Sequence, residues 1–167
     1  MKNIILTLFV LSSIFFSCTN KKEYQEKLKS TINLVEECTY SNGAIAEDCI
    51  NVWNKAIFDK EYDGEYCSDF NKAIYKNKEK LSKTELYKEI IDKNKKLDAM
   101  VKDLKDYPKD MKEAYDEIIS IYVDTHQLCE LAENPSGSLQ TYSEETRKLI
   151  STISKRINEF KIKYINE

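Results

Sequence analysis

Turn formers are scarce in this chain, which has 3 glycines and 2 prolines among 167 residues. Average usage would be about 7% and 5%. A chain so poor in turns, with long periodic segments of charged and apolar residues, is mainly helical. Histidine is nearly missing too, with one copy at His126. There is no G-x-S-x-G, glycine-rich phosphate loop or H-E-x-x-H, so no enzyme class announces itself. An excess of basic charge is also lacking, since 26 basic residues face 29 acidic ones. That excludes general nucleic-acid binding, which needs a basic face to displace counterions. The one long apolar run, from Ile4 to Phe16, falls short of the about 20 residues that span a bilayer.

What remains is a globular composition, 33% charged and 41% hydrophobic, sized for one domain. From Lys21 to Phe58 the residues Tyr24, Leu28, Thr31, Val35, Cys38, Asn42, Ile45, Cys49, Val52 and Ala56 recur in alternating steps of 4 and 3. The phase runs unbroken through Gly43, which predicts one long helix. A turn over 59–65 follows, and then a helix carrying Phe70, Ile74 and Leu81. Ser82 or Thr84 caps a fresh start or marks a kink, before Ile90, Leu97, Val101 and Leu104. Pro108 opens another helix, with Met111, Tyr115, Ile118, Tyr122, Thr125, Cys129 and Ala132 on its stripe. Thr141 and Glu144 read as a capping box before Leu149, Ile153, Ile157, Phe160 and Tyr164. Short connections between such helices predict an all-α, elongated, antiparallel up-down bundle of three to four long helices.

The amino terminus has a lysine, a short oily run and a small residue before a cysteine, "SSIFFSCTNKK". It resembles the lipobox signal of bacterial lipoproteins, with Phe15 where that family usually has leucine. The resemblance implies a signal peptide over 1–17, lipidation (palmitate among the chains) of Cys18, and one mature domain over 18–167. It places the protein in the cell envelope, lipid-anchored to a membrane and facing the periplasm or exterior. Trp53 with Ala56-Ile57, Asp69-Phe70-Asn71 and "PSGSLQTYS" resemble a family of uncharacterised helical proteins of low-GC bacteria. That resemblance implies a helical fold and adds nothing on function.

In an oxidising compartment the other four cysteines suggest two bridges. On a continuous first helix Cys38 and Cys49 lie roughly 16 Å apart, too far to pair. The expected pairs are Cys38–Cys129 and Cys49–Cys67, with four buried thiols as the alternative. Metal and cofactor expectations are both none. His126 with Glu130 lacks a third ligand, and the acidic turn has Phe70 where a calcium loop needs glutamate. Acids crowd 36–70 and 113–145, both mapping to the end away from Cys18. The expected function is therefore a membrane-anchored protein-binding module with an acidic distal tip at Tyr62, Asp63, Glu65, Tyr66 and Asp69. Its partner is another envelope or extracellular protein, and an immunity or exclusion lipoprotein is one form of this reading. The alternatives are a structural spacer, and an envelope metal-binding module or enzyme resting on His126 and the acidic turn.

Overall fold

The computed structural model describes the backbone of residues 2–165 and the side chains of 21–165, so the Cys18 side chain and those of the leader lie outside the described residues. Five helices carry the fold: α1 (Lys2–Asn54), α2 (Phe70–Ser82), α3 (Glu85–Asp103), α4 (Lys112–Glu133) and α5 (Leu139–Tyr164). Helix α1 continues as a π-helical turn at Lys55–Asp59, and α4 is entered through a 3-10 turn at Lys109–Met111.

Cross-helix contacts fix the directions. Glu37 pairs with Lys93, Asn42 bonds Asn94, and Asp48 accepts from Asn77, so α2 and α3 run down against α1. Tyr122 donates to Asp98, which sends α4 back up. Arg156 pairs with Asp124, and Lys161 and Arg147 reach Glu36 and Glu47, so α5 runs down beside both upward helices. This is the expected up-down-up-down bundle.

Helix α1 packs against all the others. Leu28, Val35 and Cys38 of the expected stripe are fully buried, and so are Ile32 and Ala46, which lie off it. Burying each large aliphatic side chain contributes about 1.5–3 kcal/mol. Gly43 faces Ile150 of α5. A Cβ there would sit 3.1 Å from Cδ1 of Ile150, which explains a glycine inside a helix despite its propensity cost of about 1 kcal/mol. The buried Asn42 exchanges amide hydrogen bonds with Asn94 at 2.9 and 3.2 Å. A polar pair inside a core penalises other alignments of the two helices.

Both prolines leave a carbonyl without its helical partner, because the N–H four residues on is missing. Those carbonyls belong to Leu104, before Pro108, and Leu131, before Pro135. Each is taken by a buried tyrosine hydroxyl from another helix. Tyr24 donates to Leu104 O at 3.0 Å and Tyr142 to Leu131 O at 2.9 Å. The breakers thus become points where helices are tied together.

Two helix starts are sharpened by the structure. Thr84 caps α3, accepting from the Tyr87 N–H. Ser138, not Thr141, caps α5, accepting from the Thr141 N–H at 3.1 Å. Thr141 therefore lies inside the first turn, and the helix begins earlier than the capping-box pattern implied.

Candidate functional site

The segment between α1 and α2 is more than a turn. Asp63 (φ 55) and Gly64 (φ 81) form a two-residue connection between β1 (Glu61–Tyr62) and β2 (Glu65–Tyr66). Two consecutive positive φ values are what a type I′ hairpin requires, and Asp-Gly is a favoured pair for it. Lys60 takes a left-handed conformation (φ 56) to leave the π turn. Its carbonyl accepts from the Cys67 N–H at 2.7 Å, which closes the base of the hairpin.

The hairpin is held on the bundle from beneath. Trp53, almost fully buried, packs on Phe70 at 6.2 Å and on Tyr142 at 5.6 Å between ring centroids. Lys80 of α2 bonds both carboxylate oxygens of Asp63, at 3.0 and 3.2 Å. Asp69 caps α2, accepting from the N–H groups of Asn71 and Lys72.

These contacts revise the expected acidic tip. Over residues 55–80 six lysines balance six acids, and α2 brings Lys72, Lys76 and Lys80 back beside the hairpin, while Lys78 reaches Asn134. Asp69 has a structural role and Asp63 is ion-paired, while Glu65 stays exposed. Tyr62 is half-buried, and desolvation raises its phenol pKa. The distinguishing feature is aromatic. Tyr66 is 81% exposed, Phe58 72% and Tyr75 69%. Beside Tyr66 lies a shallow hollow of about 150 Å³ that also involves Glu65, Asp69, Lys72 and Lys76. Aromatic side chains on a rigid, electrically balanced surface suit a protein interface, whose centre is poor in charge and rich in Tyr and Phe. Phe58 and Tyr75 were not among the expected site residues. Their signal was an aromatic placed on the water side of a periodic stripe.

No family model, curated protein or solved structure matches the chain. The site therefore stands on its own geometry.

The expected disulfides are corrected by the structure: Cys38, Cys49, Cys67 and Cys129 are free thiols. Cys38 and Cys129 are electrostatic neighbours across α1 and α4, yet they remain unlinked. Cys49 lies against Tyr142, whereas Cys67 donates to the Asp69 carbonyl in the loop, so each has a different neighbour. Burial pushes the thiol pKa to about 11 for Cys38 and Cys49 and to about 12 for Cys129. Cys67 is the one of the four that is not buried, so it should react with an aromatic disulfide reagent at pH 8 within the mixing phase. The other three should react only as the protein opens. Four equally fast thiols would contradict the packing.

His126 lies in a second hollow, of about 260 Å³, between α3 and α4. Its Nδ1 is 3.6 Å from Glu130, and its ring meets Tyr122 edge-on. Among the described residues no group of three or more His, Cys, Asp or Glu side chains converges to hold a metal. Also among the described residues, no helix is long and apolar enough to cross a membrane.

Proposed function

We propose that this protein is a cell-envelope lipoprotein, anchored to a membrane through Cys18, that works as a protein-binding module. The observation that carries the binding half is the exposure of Phe58, Tyr66 and Tyr75, which lie on three successive elements: the π turn, the braced hairpin and α2. Large aromatics cost little side-chain entropy when a partner covers them, and they dominate interface energetics. The anchored half rests on the lipobox-like "FFSC" at 15–18. Several acyl chains on Cys18 would hold the protein firmly, at about 0.8 kcal/mol per buried CH₂. The chain enters the described fold at Lys21, and the hairpin follows the far end of α1. Fixing the amino terminus to a bilayer would therefore present the hairpin at the distal end. The free thiols are compatible with an oxidising exterior, because three are buried in their unreactive protonated form.

Replacing Phe58, Tyr66 and Tyr75 together with serine tests the reading. None of the three supplies a cap or a core contact, so the melting temperature should stay within a few degrees. Retention of the cognate envelope protein from solubilised membranes should fall by about tenfold or more. Undiminished retention, or no protein retained by the parent chain, would contradict the tip as a binding surface. The second of those results is what a plain spacer predicts.

A further inference from the structure

On the side of the bundle formed by α1 and α5 there is a groove of about 370 Å³, mostly apolar, with Gly43 and Ile150 along it. Its depth follows from residue size. Gly43, Ala44 and Ser154 leave room where larger side chains would fill it. On the same face stands Tyr40, 81% exposed and part of the groove wall. A bulky projecting ring beside a hollow able to receive one makes the face complementary to itself.

The charges at the rim are sorted by helix. On α1 they are acidic, Glu36 and Glu47, and on α5 they are basic, Lys161 and Arg147. They sit in matched pairs, Glu36 with Lys161 at 2.6 Å and Glu47 with Arg147 at 3.3 Å. From this arrangement we infer that the α1/α5 face binds a second copy of this chain, with the two copies parallel. A two-fold axis along the helices lays α1 of one copy over α5 of the other at equal height. Each glutamate then faces the second copy's basic residue as well as its own, giving two alternating four-charge clusters. A two-fold axis across the helices would instead set α1 on α1 and glutamate against glutamate, which is repulsive. The favoured axis makes the contact isologous, so every interaction occurs twice, and Tyr40 of each copy enters the other's groove. Parallel copies also direct both amino termini the same way and both hairpins the opposite way. This surface is distinct from the hairpin, and the inference does not depend on partner binding there.

Sedimentation equilibrium of the full chain in density-matched detergent micelles tests it. The expected result is a monomer–dimer equilibrium at micromolar concentration. Ser154→Arg, an exposed position, should fill the groove and weaken the dimer by about tenfold or more, as should Tyr40→Ser. Both variants should keep the parent helix content. Glu47→Arg alone should also weaken it, and the double reversal with Arg147→Glu should restore it. A monomer at every concentration up to about 100 μM, some ten times a 10 μM dissociation constant, would overturn the inference. A dimer indifferent to Ser154→Arg would also overturn it, since association would then use another face. A photoreactive residue at position 40 that labels some other protein and never a second copy would do the same.

Discussion

Tyr142→Ala should lower the unfolding free energy by about 3–5 kcal/mol, the range for emptying a buried aromatic site. Tyr142 is 1% exposed, packs on Trp53, and sends its hydroxyl to Leu131 O. Tyr142→Phe separates the two contributions. It keeps the ring but orphans a carbonyl that Pro135 has already deprived of a helical donor, which costs about 1–3 kcal/mol. Tyr24→Phe should behave alike at Leu104 and Pro108. Urea denaturation of the three variants checks this through the midpoint, with the slope unchanged. If both phenylalanine variants matched the parent, the tyrosine–proline device would carry no weight in the fold.

The protein should lose stability steeply above pH 9. Cys38, Cys49 and Cys129 have folded-state pKa values raised to about 11, 11 and 12 from an ordinary 9.0. Between those limits the unfolded chain releases thiol protons that the folded chain retains. Stability from this source is complete below pH 9 and falls as pH rises toward 11 and 12. Each thiol contributes a slope of up to about 1.4 kcal/mol per pH unit, hence about 4 kcal/mol per unit for the three together. Burial likewise raises the phenol pKa of Tyr24 and Tyr142, and that of Tyr122 to about 12, so tyrosines extend the loss above pH 10. Urea midpoints under reducing conditions should be equal at pH 7 and 8 and much lower at 10.5. A flat profile would contradict the burial of these groups.

The bundle was largely legible because its stripes are long. Ten residues in unbroken 4-3 phase announced α1 through Gly43, and Pro108 and the "NPSGS" joint marked the later turns. The sequence understated how deeply α1 is buried. A helix with neighbours on several sides buries Ile32 and Ile50 as well as its expected stripe, and a single periodic seam does not reveal that. The hairpin escaped because two-residue strands are too short to show alternation. Only Asp63-Gly64 hints at it, and in sequence those residues read equally as part of an acidic turn. Blocks of acid along the chain suggest an acidic tip, while Lys72, Lys76 and Lys80 of α2, already out of keeping with it in the sequence, come back beside the loop and balance its charge. An oxidising compartment favours bridges, whereas the apolar stripe positions of Cys38, Cys49 and Cys129 suit buried thiols equally well.

Photocrosslinking from position 66 in intact cells addresses the central claim most directly, with position 123 on α4 as the control. Val123 is also exposed and lies midway along α4. The account predicts one discrete adduct with an envelope or extracellular protein from position 66 and none from 123. That adduct should disappear in the Phe58/Tyr66/Tyr75 environment altered by Phe58→Ser and Tyr75→Ser. It should weaken in Cys18→Ser, which loses the anchor. No adduct from position 66, or the same diffuse labelling from both positions, would contradict a tip-directed binding module.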